Sequence, residues 1–147
     1  DTPQTLDTRI ENVKVRADDV LTVAYQQSVN RLYDAAFDRT ADAPGLQYWA
    51  NSLDVGNGNL LPIARNFLHS AEFTGRYGNV DTMNDTVFLY LTYANALERA
   101  PDAAGLAYWL GQLHAGMARE NVLASFAESD EGRASLIGVA TLVTEHA

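Results

Sequence analysis

The sequence predicts an all-α fold: one compact helical domain of two tandem units, each of about 60 residues, packed on one core. Three observations carry this. Apolar residues recur at the three- and four-residue spacing of an amphipathic helix. No segment alternates with the period of two that a strand requires. An eleven-residue motif returns sixty positions further along the chain.

Residues 1–16 are polar with scattered Val and Ile and read as a linker or N-terminal arm, leaving 17–147 as the folded domain. Asp18 and Asp19 suit a helix N-terminus, where carboxylates meet the positive end of the dipole. The first helix is expected from about Ala17 to Phe37, with Val20, Ala24, Tyr25, Val29, Leu32, Tyr33, Ala36 and Phe37 as its stripe. Asp42-Ala43-Pro44-Gly45 starts a second helix, because Asp caps free N–H groups and Pro suits a first turn. Leu46, Trp49, Ala50 and Leu53 lie on it, and the Gly56-Asn57-Gly58 loop ends it. Leu61, Ala64, Phe67 and Leu68 mark a third helix, and Ser70-Ala71-Glu72-Phe73 a capped turn ended by Gly75 and Gly78.

The same order follows again. Asn84 or Asp85 caps a helix carrying Val87, Leu89, Tyr90, Tyr93, Ala94 and Leu97. Asp102-Ala103-Ala104-Gly105 starts the next, expected to bury Leu106, Trp109, Leu110 and Leu113 before Gly116 ends it. A helix over Ala118–Phe126 precedes a last one, capped at Ser129-Asp130-Glu131 and carrying Leu136, Ile137, Val139, Ala140, Leu142 and Val143.

The repeat is explicit. Arg39-Thr40-Ala41-Asp42-Ala43-Pro44-Gly45-Leu46-Gln47-Tyr48-Trp49 reads again as Arg99-Ala100-Pro101-Asp102-Ala103-Ala104-Gly105-Leu106-Ala107-Tyr108-Trp109. Tyr33 matches Tyr93, and after one deletion Phe67, Ser70 and Glu72 match Phe126, Ser129 and Glu131. The units span about 20–78 and 79–137. One unit alone is too small to bury its apolar face, so the two should share a core. Arg and Asp around the turn can pair, or Asp can cap the following helix, which contributes about 0.5–2 kcal/mol. Gly three residues after the Asp lets another helix approach closely.

Composition bounds the function. At 47% apolar residues the chain can form a real core, and at net charge −9 with one lysine it lacks the basic surface that nucleic acid or an anionic membrane requires. The longest apolar runs are too short to cross a bilayer, so no membrane insertion is expected. Without cysteine, disulfides, thiolate zinc sites and cysteine nucleophiles are excluded. His69, His114 and His146 have no ligand spacing, and no nucleophile elbow, P-loop or dinucleotide fingerprint occurs, so no enzyme is expected.

Two chemistries remain. Calcium is the candidate metal, with Asp38 and Asp42 in one oxygen-rich loop and Asp81 and Asp85 in another; helix capping is the competing reading, since neither loop has the density of an EF-hand. Carbohydrate is the other candidate, because sugars stack on aromatic rings and take hydrogen bonds from Arg and Asp. Tyr48 and Trp49 sit beside Arg39 and Asp42, and Tyr108 and Trp109 beside Arg99 and Asp102. Neighbouring Tyr and Trp on a helix cannot both face inward. Trp, spaced from Leu46 and Leu106, is the core residue, which turns Tyr48 and Tyr108 outward. The competing reading makes all these aromatics core or interface residues.

The motif Arg99-Ala100-Pro101-Asp102-Ala103-Ala104-Gly105-Leu106-Ala107-Tyr108-Trp109, with the Ser70-Ala71-Glu72-Phe73 turn of the first unit, resembles the bacterial domain-of-unknown-function family 4214 over about residues 20–135. The first copy departs in Thr40-Ala41, and the second in ending Ser129-Asp130-Glu131-Gly132. There is a fainter likeness to phycobilisome linker domains. The resemblance brings no catalytic residues. It implies a setting in large exported bacterial proteins, beside calcium-binding RTX repeats or in adhesin-like and surface-layer-like chains. The expectation is therefore a non-catalytic module of a secreted or cell-surface protein that recognises extracellular or surface polysaccharide, with calcium as an assisting ion. The alternative is an assembly or spacer module that docks with neighbouring surface-protein domains.

Overall fold

The structure, a computed structural model, describes residues 3–135, with side chains from residue 20 to residue 134. Helices α1 (Pro3–Phe37), α2 (Ala43–Val55), α3 (Leu61–Leu68) and α4 (Ala71–Tyr77) form the first repeat. Helices α5 (Asp85–Leu97), α6 (Ala103–His114), α7 (Arg119–Glu128) and α8 (Asp130–Ser135) form the second. No strand occurs among the described residues.

The caps fall where local chemistry puts them. The Asp42 and Asp102 carboxylates accept from the Gly45 and Gly105 N–H groups at 3.1 and 3.2 Å. Asn84 caps α5 through the Thr86 N–H, and Ser70 caps α4 through the Phe73 N–H. The expected turn at Ser70–Phe73 is the first part of that helix, with Gly75 inside it and only Gly78, at φ 104°, ending it.

Helix α1 starts much earlier than expected. Gln4 to Phe37 contains neither Gly nor Pro, so nothing breaks the helix, and Asp18 and Asp19 lie inside it rather than starting it. The segment 1–16 read as an arm is helical from Pro3 onward. The inward stripe begins only at Val29 and continues through Leu32, Tyr33 and Ala36; Val20 and Ala24 are exposed. The phase of α5 also differs. Phe88, Leu89, Thr92, Tyr93 and Ala96 face inward, whereas Val87, Tyr90 and Ala94 are exposed. On α6, Leu106, Trp109, Leu110 and Leu113 are half-buried rather than buried, because this helix lies at the flank and packs on α5. The apolar residues from Leu136 to Val143 lie outside the described residues.

The core forms where α1 meets α5 and α3 meets α7, so like helices of the two repeats contact each other. Helix α2 covers α1 as α6 covers α5. The correspondence breaks most plainly at one place: α7 also packs on α1, and α3 makes no comparable contact with α5. At that extra contact the Arg31 guanidinium, 10% exposed, donates to both Glu128 oxygens, Nη2 to Oε1 at 3.0 Å and to Oε2 at 3.1 Å. No buried side-chain nitrogen or oxygen among the described residues lacks a partner.

Both α1 and α5 end on a non-glycine residue in the left-handed region, Asp38 at φ 55° and Glu98 at φ 56°. Their carboxylates act on Asp34. Burial first, and then the charges of Asp38 and Glu98, push the Asp34 carboxyl up to about 7. The unfolded chain loses this proton near 3.8 and the folded chain holds it to about 7. This contribution is therefore fully present below the unfolded value and is lost as pH rises through the folded one. With Asp34→Asn the loss disappears. The variant should equal the parent near pH 4 and exceed it by about 1–2 kcal/mol at pH 8, after allowance for partial exposure. Urea melts at the two pH values check this, and a gap that does not change with pH would sink it.

Candidate functional site

Each repeat builds the same cluster around one arginine. In the first, the Arg39 guanidinium donates Nε to Glu72 Oε2 at 2.8 Å and Nη2 to Oε1 at 2.7 Å. In the second, Arg99 does the same to Glu131, at 2.7 and 3.0 Å. The third nitrogen returns to the neighbouring carbonyl, Thr40 or Ala100. The guanidinium lies over the ring of Tyr33 or Tyr93, with centroids 5.0 and 5.1 Å away. The helix-start aspartate is the more distant carboxylate, 3.8 Å from Arg39 at Asp42 and 3.4 Å from Arg99 at Asp102. Such paired, planar hydrogen bonds fix geometry as well as charge.

Beneath the arginine lies an aromatic layer. Tyr33 meets Phe67 edge-on at 4.7 Å, and Tyr93 meets Phe126 at 4.7 Å. Trp49 and Trp109 reach the same phenylalanines at 5.3 and 5.1 Å. Tyr48 and Tyr108 stand outside, edge-on to their tryptophans and 62% and 57% exposed. Tryptophan therefore packs against the core and tyrosine looks outward, as the spacing predicts.

The glycine of the motif has a local cause. A Cβ at Gly45 would meet the Tyr33 hydroxyl and the Asp42 carboxylate, and one at Gly105 would meet Tyr93 and Asp102. The close approach is thus by a tyrosine hydroxyl of the preceding helix. Gly105→Ala should cost about 1–3 kcal/mol as an overpacked site. Tyr93→Phe in the same chain removes the atom in conflict and should recover part of the loss. A double-mutant cycle on thermal melts measures this, and strictly additive effects would refute it.

The electrostatics match the geometry. Glu72 hydrogen-bonding holds the Arg39 proton more firmly, and Arg39 in turn holds the Glu72 carboxyl below its usual range. Arg99 and Glu131 repeat the effect. The Gly105 N–H lowers the Asp102 carboxyl. Burial raises the Tyr33 and Tyr93 hydroxyls.

The first repeat opens a groove of about 340 Å³ above this cluster. Trp49 and Phe67 give it aromatic surface, and Arg39, Asn66, His69 and Glu72 give it polar groups. His69 ends α3 with Nδ1 2.9 Å from the Arg65 carbonyl and Nε2 3.0 Å from Asp81 Oδ1. Both ring nitrogens face acceptors, which favours the doubly protonated imidazolium. The Arg65 carbonyl first, then Asp81, raises the His69 pKa.

Of the residues predicted to bind ligand, Arg39 and Trp49 line this groove, Tyr48 adjoins Trp49, and Asp42 caps α2 and is not part of the lining. Arg99, Asp102, Tyr108 and Trp109 form the matching cluster of the second repeat. Each of the suggested metal ligands has a partner or role of its own in the structure. Asp42 caps a helix, Asp81 meets His69, and Asp85 meets Arg119 at 2.6 Å. Asp38, exposed, acts on the neighbouring Asp34. No group of three or more His, Cys, Asp or Glu side chains suited to a metal forms among the described residues. Sequence reasoning missed Asn66 and His69 as groove residues. It also missed Glu72 and Glu131 as arginine partners, although their matched positions in the repeat signalled a shared role.

No curated protein and no solved structure matches the chain. A family model matches residues 19–59 and 64–136, well over half of the sequence. It spans both arginine clusters, both tryptophans and the Ser-x-Glu turns that complete them, and the chain belongs to the family described as Domain of unknown function (DUF4214).

Proposed function

We propose that the domain is a non-catalytic binding module of a secreted or cell-surface bacterial protein and that it recognises carbohydrate. The single observation that supports this is the first-repeat groove, where Trp49 lies beside Arg39, Asn66 and Glu72. Aromatic surface bordered by fixed planar polar groups suits the C–H faces and hydroxyls of a sugar. Its volume of about 340 Å³ falls within the range of small-molecule sites, about 300–1,000 Å³. The extracellular setting rests on the company such domains keep in exported proteins.

The test is a glycan array probed with the purified domain, once with calcium and once with chelator. Binding to a defined glycan class is the expected result. The chelator arm reads any contribution of calcium at Asp38, Asp42, Asp81 and Asp85. Tyr48→Ser, at an exposed ring, should change stability by no more than about 0.5 kcal/mol. It should weaken glycan binding by about threefold or more, as loss of an aromatic contact does. Unchanged affinity would remove Tyr48 from the site.

One observation favours the assembly reading. Val20, Leu21 and Val55 are 68, 48 and 85% exposed, and Leu21 borders a recess of about 230 Å³ between α1 and α2 with Tyr25 and Ala50. Self-association measured by light scattering, together with a blank glycan array, would move the function to protein contacts.

A further inference from the structure

The two arginine clusters match, but their rims do not. With the one-residue deletion between the repeats, Asn66 corresponds to Ser125 and His69 to Glu128. The amide Nδ2 of Asn66 donates to the Pro62 carbonyl at 2.9 Å, which orients its exposed side chain. Ser125 is too short to reach as far. The difference at the second position is larger. Glu128 is taken up by Arg31 of α1 and by Arg133 Nη2 at 2.8 Å. A rim residue of the second repeat is thus engaged in holding the two repeats together. The aromatic layer differs too, since Phe37, 5.2 Å from Phe67, corresponds to Leu97.

The lining also carries a charge signature. Its basic groups already have carboxylate partners, the Arg39 guanidinium in Glu72 and the His69 imidazole in Asp81. Its one carboxylate, Glu72, is held by Arg39 and faces Arg76 at 3.7 Å. Arg65, exposed and one turn before His69, is not among the lining residues. An anionic ligand would have to displace one of these carboxylates and approach a chain of net charge −9. A cationic ligand would meet the charges of Arg39 and Arg76 on either side of that one carboxylate. Hydroxyl groups meet neither obstacle, because the Asn66 amide and the outer lone pairs of Glu72 can exchange hydrogen bonds with them.

We infer that the domain takes a single ligand, in the first-repeat groove at Trp49, and that this ligand is an uncharged sugar unit. The inference rests on the carbohydrate reading above and narrows it. One site per chain means that avidity comes from copies of the domain in a longer protein rather than from its two repeats.

The two tryptophans, one in each cluster, allow a direct test. The full chain and the variants Trp49→Phe and Trp109→Phe are titrated with neutral gluco-, galacto- and xylo-oligosaccharides and with galacturonate oligomers of equal length. Tryptophan emission and calorimetric stoichiometry are both read. The expected result is one sugar per chain, with a change of emission in Trp109→Phe and none in Trp49→Phe. A neutral oligomer should bind at least tenfold more tightly than the galacturonate. Asn66→Ser, which carries the second repeat's residue into the first at an exposed position, should weaken binding at least fivefold with melting unchanged. Two sugars per chain, an emission change from Trp109, or equal affinity for galacturonate would each overturn the inference while leaving carbohydrate binding intact. Failure of every oligomer here, together with a blank glycan array, would overturn the carbohydrate reading and the inference with it.

Discussion

Glu128→Ala will destabilise the domain by about 2–4 kcal/mol, somewhat below the range for breaking a fully buried ion pair. Arg31 is 10% exposed and Glu128 28%, so the pair is shielded but not sealed. Among the described residues, removing the carboxylate leaves the guanidinium only Ser28 Oγ, at 3.0 Å, as a hydrogen-bond partner. The cost is that of an uncompensated charge, not of the lost attraction alone. Arg31→Leu combined with Glu128→Leu should therefore regain much of the loss, since well-packed apolar residues often replace such a pair at little cost. The protein already contains that alternative, because the position equivalent to Arg31 in the second repeat is the half-buried Leu91. Denaturant melts of the three proteins decide the matter. A double variant no more stable than Glu128→Ala would show that the charges themselves are required.

Phe88→Ala carries the other large effect, about 3–5 kcal/mol for removing a buried aromatic ring. The ring is fully buried, and the Arg119 guanidinium lies 5.1 Å from its centroid. Arg119 is the tie between α7 and the segment joining the repeats: it donates to the Val80 carbonyl, to the Met83 carbonyl at 2.7 Å and to Asp85 Oδ1 at 2.6 Å. Removing the ring therefore takes away core volume and one support of that tie. Amide exchange at Asp81 to Met83 should accelerate more than at α2, which is remote from Arg119. Phe88→Leu keeps most of the volume and should cost less than about 1.5 kcal/mol. Uniform acceleration across the chain in Phe88→Ala would separate Phe88 from Arg119 and leave only the cavity.

The sequence made the local features legible and left the distant ones hidden, for physical reasons. Asp42, Asp102 and Ser70 act on N–H groups three residues away, so their caps could be read directly. The phase of α5 could not, because apolar residues surround that helix and period alone does not separate Val87 from Phe88. At the arginines, the nearby Asp suggested a pair, but the shorter contacts run to Glu72 and Glu131, some thirty residues on. The repeat held that information, since matched glutamates follow matched arginines. It could not reveal Arg31 with Glu128, because neither residue has a like counterpart: their equivalents are Leu91 and His69. Half of the groove rim, Asn66 and His69, was hidden for the same reason, lying at positions where the two copies differ.

The contacts of α1 with α5 and of α3 with α7 decide how the two repeats share their surfaces. Stacked helical arrays pack the trailing face of one unit on the leading face of the next, so a further unit always finds a face to join. Here like meets like, α1 on α5 and α3 on α7, yet the pairing is not that of an isologous dimer, because α7 also packs on α1 with no α3 counterpart on α5. The seat on α5 that corresponds to the one α7 takes on α1 is not filled by α3. The two repeats are therefore unequal partners despite their matching motifs, the first lending the second a helix face that it does not receive in return.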